Sequence, residues 1–312
     1  MRVAVLGGGG AMGGIFGARL AGAGHDVTLI DVNLDAVGKI NSRGLTIDAK
    51  DGSSQIQKVK ASATPAEVGE VDLIMNFVKC YHTEAAVTSA KPMMGKDTVV
   101  LTLQNGWGNA SRIASLVGDD RVLVGLTYHS GTLLAPGHVR HPGMGMTFIG
   151  EPGGGQTARV KSVADVLRSG GFEVTEASSI MTEVWKKLCL NICTLPTSAM
   201  LGFFAHELVA HDGVKHEMAA LLREAVAVAN ATGIQIDYDE RWAAITGLLE
   251  KAIGGKASML QDVEAGRRTE IDVINGAIVD AGLRAGIATP HNQAMVWLIK
   301  SLEAKYLGAK AA

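Results

Sequence analysis

The stretch Arg2-Val3-Ala4-Val5-Leu6-Gly7-Gly8-Gly9-Gly10-Ala11-Met12-Gly13 decides the fold. An apolar, β-branched run stops at four glycines and a helix-like run, Met12 to Ala23, follows. Gly8, Gly10 and Gly13 stand as Gly-x-Gly-x-x-Gly, with Ala11 and Met12 at the helix start, and Asp31 closes the next apolar run, Val27 to Ile30. Glycines there let the backbone turn tightly against a pyrophosphate, the helix start offers unpaired N–H groups, and an acid at the second strand end accepts from ribose hydroxyls. The competing reading is a glycine-rich turn with no ligand, and the Gly7–Gly10 run allows more than one register.

Outward from this stretch, short apolar runs alternate with helix-like ones. Val71 to Val78, Thr98 to Leu103 and Val122 to Tyr128 are continuous rather than alternating, as strands covered on both faces require. Residues 44–62 read as an inserted antiparallel hairpin around Lys50-Asp51-Gly52-Ser53, and a second hairpin is expected over His138 to Ile149. Beyond Ser178 the apolar period becomes helical, with Val184, Leu188, Ile192 and Leu195 as markers. Further helices are expected over Glu207–Thr232, Glu240–Ala252, Thr269–Ala285 and Pro290–Lys305. The fold class is therefore α/β, a Rossmann-type doubly wound sheet over residues 1–177 followed by an all-helical domain over 178–312.

Composition excludes other classes. With 29 basic and 31 acidic side chains in 312 residues, bulk charge draws the chain to neither nucleic acid nor anionic lipid. Cys80, Cys189 and Cys193 have no paired spacing, which points to a reducing compartment and to no zinc site; the scattered histidines suggest no other metal. No apolar run has the length of a membrane span, and the N-terminus lacks a signal-peptide core, so a cytoplasmic protein is expected.

Two loops follow strands of the sheet and carry polar side chains, Lys79 after Val78 and Asn105 within Gln104-Asn105-Gly106. Either can face a ligand or be an ordinary solvated lysine and turn asparagine. In the helical half Lys187 and Asn191 share one helix face, and an amine among Trp185, Leu188 and Cys189 suits a proton donor to a carbonyl oxygen, because desolvation lowers its pKa. The alternative is a lysine snorkelling to water. Glu270 reads as a dipole-favoured carboxylate opening a helix, and Ser258 as a cap with Asp262 and Arg267 as a surface pair; spacing alone does not decide their roles.

Taken in order, the glycine loop, Lys79, Gln104-Asn105-Gly106, Tyr128-His129 with Pro136-Gly137-His138, Trp185-Lys186-Lys187-Leu188 with Asn191, Ser258-Met259 with Gln261-Asp262, and Arg268-Thr269-Glu270-Ile271-Asp272 resemble the ketopantoate reductase family over nearly the whole chain. The resemblance implies NAD(P)H-dependent reduction of a 2-oxo acid to a 2-hydroxy acid, with 2-dehydropantoate to pantoate as the first reading. It implies Lys187 as general acid with Glu270 as its partner, Gly8, Gly10, Ala11, Met12, Gly13, Asp31, Lys79 and Asn105 at the cofactor, and Asn105, Asn191 and Ser258 at the substrate. The expected partner is a small 2-oxo acid, with a homodimer left open. Leu195 and Ala205 replace polar positions of the family, which makes a paralogue acting on a different, more apolar 2-oxo acid the alternative to 2-dehydropantoate; a non-catalytic dinucleotide sensor is the alternative from another class. Asp31 repels a 2′-phosphate, and Val32 stands where the family often carries an arginine, so NADH is favoured over NADPH.

Overall fold

The computed structural model describes residues 1–308. The chain runs β1 (Arg2–Leu6), α1 (Ala11–Gly22), β2 (Asp26–Ile30), α2 (Leu34–Arg43), β3 (Leu45–Ala49), β4 (Ser54–Gln57), β5 (Lys60–Ser62), β6 (Val71–Asn76), α3 (Thr83–Ala90), β7 (Met94–Thr102), α4 (Asn109–Val117) and β8 (Val122–Thr127). It continues with β9 (Ser130–Ala135), β10 (His138–Gly143), β11 (Thr147–Gly150), α5 (Ala158–Ser169), β12 (Val174–Glu176), α6 (Ile180–Leu201), α7 (Asp212–Ala231), α8 (Tyr238–Lys251), α9 (Ser258–Glu264), α10 (Asn275–Ala285) and α11 (Pro290–Leu307). Two compact units result. One holds Met1–Gln104 with Asn109–Glu183; the other holds Asn105–Gly108 and the chain from Val184 onward.

The first unit bears out the α/β reading. Its large sheet has the order β12-β11-β8-β7-β6-β1-β2-β5, parallel throughout except for the β11–β8 pair. Val3 to Leu6 are buried, the pattern of a strand covered on both faces. The chain grows outward from β1 through β2 to β5, then returns to the other side with β6, β7 and β8. The order thus reverses between β1 and β6, the place where open α/β sheets leave a crevice at their carboxyl ends.

Two expectations change here. The inserted hairpin exists as β3–β4, with Leu45 opposite Gln57, but β5 leaves it and pairs parallel with β2. No hairpin spans His138–Ile149. Instead β10 pairs antiparallel with β9 and parallel with β3, making a second sheet of order β4-β3-β10-β9. The reason is local: Gly145 lies against the Tyr128 backbone, where a Cβ would come within 2.6 Å of its carbonyl, and the Tyr128 N–H donates to Met146 at 2.9 Å. The chain is thereby carried back beside β8 as β11.

In this unit the side chains of His129 and His141 meet, Nδ1 to Nε2 at 2.9 Å, beside Phe16 and Phe172. Both histidines are buried. Burial, then the charges of His141 and Arg19, push the His129 pKa down to about 4. The scattered histidines of the sequence give no sign of this pair: His129 precedes β9, and His141 lies in β10 where the β9–β10 register shifts.

Among its described residues the second unit is helical, as expected. Its core joins Trp185, Leu188, Ile192, Leu221, Leu222, Ile278 and Ile299. Two long helices expected from the sequence are broken. A 3-10 turn, Ala205–Val209, precedes α7, and another, Ile271–Val273, precedes α10. At Ile274 the backbone leaves the helical region with ψ −95°, so the Thr269–Ala285 run cannot be one helix. Among the described residues no helix is long and apolar enough to cross a membrane.

Candidate active site

In the first unit the glycine loop is shaped by backbone contact. The N–H groups of Gly7 and Gly8 donate to the Ile30 carbonyl at 2.9 and 3.0 Å, tying the loop to the end of β2. A Cβ on Gly8 would stand 2.6 Å from the Leu29 Cβ, and one on Gly13 would overlap the Gly7 carbonyl. Gly10 caps α1 with no side chain in the way. Ala11 and Met12 form the first turn. These are the steric conditions for a pyrophosphate to approach a helix N-terminus.

Asp31 is fixed at the same edge. Its Oδ2 accepts from the Gly9 N–H at 2.9 Å and its Oδ1 from the Asn33 N–H at 3.0 Å. Gly9, which the glycine motif skips, is required for this: a Cβ there would lie 2.8 Å from the Asp31 carboxylate. Val32 beside it is 92% exposed. Lys39, the nearest later basic residue, is ion-paired with Asp35 at 2.8 Å. The set fits the chemistry of a dinucleotide: the loop offers room and N–H groups for a pyrophosphate, and the carboxylate offers acceptors for ribose hydroxyls.

Lys79 is half-buried on the loop after β6, just before a short 3-10 turn. Gln104 holds that loop. Its Oε1 accepts from Asn76 at 2.9 Å, while its Nε2 donates to the Val78 carbonyl at 2.7 Å and to Thr83 at 2.8 Å. In the sequence Gln104 stands out only as a neighbour of Asn105; an uncharged donor and acceptor beside a strand end is the signal it offers.

The second unit brings Asn105, Lys187 and Glu270 together. Lys187 Nζ donates to Asn105 Oδ1 at 2.8 Å across 82 residues of sequence. Burial pushes the lysine pKa down to about 8, and the Glu270 carboxylate opposes that by favouring the charged amine. Glu270 is buried and stands immediately before the Ile271–Val273 turn. Neighbouring Asp272 is engaged by Arg268 at 3.2 Å and Lys300 at 2.5 Å.

The Asn105 loop is docked on the Glu270 turn. Gly106 has φ +89°, and a Cβ there would overlap the Val273 carbonyl oxygen and stand 2.6 Å from its Cγ2. The Trp107 N–H donates to that carbonyl at 2.8 Å, and the Trp107 ring packs on buried Trp185 with centroids 5.2 Å apart. Trp185 and Lys187 therefore lie on opposite faces of α6, Trp185 packed on Trp107 and Lys187 bonded to Asn105.

Asn191 is buried one turn after Lys187, and Leu195 is buried one turn further on the same face. Ala205 adjoins Gly255, its N–H donating to that carbonyl at 2.9 Å. Ser258 does not cap α9; the cap is Ala257 and Ser258 is the first helical residue, half-buried. Asp262 and Arg267 are paired at 3.1 Å, yet Asp262 is buried, so this is no surface pair.

Known proteins resemble this chain over nearly its whole length. The model of the family described as ketopantoate reductase PanE/ApbA matches residues 3–154, and that of its C-terminal part matches 179–303. Proteins named 2-dehydropantoate 2-reductase from Halobacterium salinarum and Pyrococcus horikoshii are each 33% identical, covering 96% and 99% of this chain and 98% and 100% of their own. A PanE/ApbA family ketopantoate reductase from Ralstonia eutropha superposes with a TM-score of 0.90 at 33% identity, over 98% of this chain and all of that one. D-mandelate dehydrogenase, solved with NADH and anilino(oxo)acetate, superposes with a TM-score of 0.93 at 30% identity, over 98% and 99% of the two chains. The chain belongs to the ketopantoate reductase PanE/ApbA family and is an NAD(P)-dependent oxidoreductase acting on a CH–OH group.

Proposed function

We propose that the protein reduces a 2-oxo acid bearing an apolar substituent to the 2-hydroxy acid, using NADH, with Lys187 as the proton donor. The observation that carries the chemistry is the half-buried Lys187 amine, bonded to Asn105, opposed by Glu270 and held at a pKa of about 8. A nicotinamide, when bound, supplies the hydride to the carbonyl carbon. Negative charge then builds on the carbonyl oxygen, and the Lys187 ammonium neutralises it and gives up its proton there, leaving a hydroxyl. Glu270 favours the protonated amine, and Asn105 fixes the direction of the Nζ–H bond. Asn191 and Ser258 are assigned to the substrate, and Lys79 to the cofactor ribose and the reacting groups.

The substrate reading rests on Leu195 and Ala205. Leu195 continues the face that bears Lys187 and Asn191, and neither Leu195 nor Ala205 has a side chain that can hydrogen-bond a substrate hydroxyl. A buried site lacking such a partner disfavours a hydroxyl-bearing substrate by about 1 kcal/mol or more per missing bond. The likeness to a D-mandelate dehydrogenase supports an apolar substituent. The second reading, 2-dehydropantoate, is favoured by the names of the relatives at 33% identity.

For the cofactor, acceptor counting supports NADH. An ionised carboxylate has about four lone-pair positions. Two are taken by Gly9 and Asn33 N–H groups; two remain, enough for the two ribose hydroxyls and repulsive to a phosphate.

A panel of 2-oxo acids run with both cofactors tests these readings. An apolar 2-oxo acid is expected to exceed 2-dehydropantoate in kcat/KM, and NADH to exceed NADPH; Asp31→Ala should weaken NADH and narrow that gap. Turnover of 2-dehydropantoate above all others would reverse the substrate reading, a tenfold NADPH advantage would reverse the cofactor reading, and cofactor binding with no turnover on any acid would restore the sensor.

A further inference from the structure

Helix α6 contains Pro196. Proline has no N–H, so the carbonyl of Ile192, four residues earlier, loses its donor in the helical ladder. Ile192 is fully buried, and a bare carbonyl there would be costly. The missing donor comes from another element: Asn275 Nδ2 donates to the Ile192 carbonyl at 3.2 Å. The same amide donates to Asn292 Oδ1 at 3.0 Å, and Asn292 in turn donates to the Leu221 carbonyl at 3.2 Å and to Glu224 at 2.8 Å. Asn275 and Asn292 are wholly buried. A polar chain thus runs from α7 through α11 and α10 to the carbonyl that Pro196 leaves unserved.

Its endpoints lie beside the proposed chemistry. Ile192 follows Asn191 directly, and Lys187 lies five residues earlier on the same helix. Asn275 opens α10 one residue, Ile274, after the Ile271–Val273 turn, whose first residue follows Glu270. The other side of that turn holds the Asn105 loop, through the Val273 carbonyl.

We propose that Asn275 is a positioning residue for the proton-donating constellation: it supplies the bond that Pro196 withholds, and in doing so fixes the Glu270 turn against the helix that carries Lys187 and Asn191. The inference rests on the reading of Lys187 as proton donor with Glu270 as its charge partner. A carbonyl that needed only satisfaction would be served by any residue with an N–H at position 196. Here the donor comes instead from the element that follows Glu270, so the same bond that closes the ladder also sets a distance between two charges. Coulomb attraction varies inversely with that distance, so loosening the turn weakens the hold of Glu270 on the Lys187 proton.

The test uses the full chain in four forms: wild type, Asn275→Ala, Pro196→Ala with Asn275→Ala, and Glu270→Gln. Each form is assayed for its rate of reducing an accepted 2-oxo acid as a function of pH, for thermal stability and for its Kd for NADH. Asn275→Ala should lower kcat about tenfold to a hundredfold, move the fall in rate at high pH to lower pH, in the same direction as Glu270→Gln, and leave the NADH Kd unchanged. The double variant, whose residue 196 has an N–H for Ile192, should recover thermal stability while keeping the low kcat and the displaced pH limb; it also provides a folded protein should Asn275→Ala not fold. Recovery of kcat and pH limb along with stability would reduce Asn275 to a structural filler, as would a single variant with the wild-type pH limb. If Glu270→Gln moves the limb and neither Asn275 variant does, this assignment alone fails. If Glu270→Gln leaves the limb in place, the proton-donor reading falls and this one with it.

Discussion

Lys187 is where the protein's chemistry is most open to a pH measurement. Its burial lowers the pKa from 10.5 to about 8 despite Glu270. A group that must be protonated to act stops acting as pH rises through its pKa, so reduction should decline above about pH 8 while the reverse oxidation rises there. Lys187→Ala should lower kcat by about a hundredfold to ten-thousandfold while sparing NADH affinity; steady-state rates and a cofactor titration check this, and unchanged turnover would remove Lys187 from its role. At this scale the sequence is informative where residues are close along the chain. Lys187 and Asn191 share a face by spacing alone, whereas the Lys187–Asn105 bond joins residues 82 apart and is foreshadowed only by resemblance. Gly9 and Asn275 escape a reading of the sequence because what makes them necessary, the Asp31 carboxylate and the Pro196 gap, is brought to them by folding.

Among the elements, the loop Asn105–Gly108 shows how a turn places a side chain. Gly106 adopts φ +89° directly against Val273, so Gly106→Ala combines backbone strain with overlap on the turn that follows Glu270. It should cost about 1 kcal/mol or more in stability and, by shifting Asn105 away from Lys187, lower kcat about tenfold or more. Thermal denaturation and steady-state rates measured on the one variant check both, and a stable variant with native turnover would show that the loop tolerates displacement. Strands and helices are legible wherever one period runs unbroken, as in β1, α1 and α6. The second sheet is not, because β10 lies parallel to β3 from nearly a hundred residues earlier, a pairing with no local signature. The Thr269–Ala285 run misleads for a different reason. Its apolar spacing is helical throughout, but tertiary bonds take hold at both ends of the break: the Thr269 N–H donates to Glu303 at 2.6 Å, and Asn275 is drawn to Ile192.

For the whole molecule, pH acts through the His129–His141 pair as well as through catalysis. His129 titrates near 6.5 when unfolded and at about 4 when folded. As pH falls below about 6.5 the unfolded chain binds the proton first, so stability is full above that value and declines toward pH 4. Melting temperature should therefore drop between pH 7 and pH 5, and His129→Phe, which removes the titrating ring beside Phe16 and Phe172, should make that drop smaller. An equally steep decline in the variant would place the sensitivity elsewhere. Stability is also distributed unevenly along α6. With no amide at Pro196, the ladder lacks its rung to Ile192, and that carbonyl is clamped from α10. Fraying at the tip of α6, where Met200 and Leu201 are 39% and 47% exposed, meets this clamp before it reaches Asn191. In terms of cooperativity α6 should open in two steps, its exposed C-terminal tip before the part that carries Lys187.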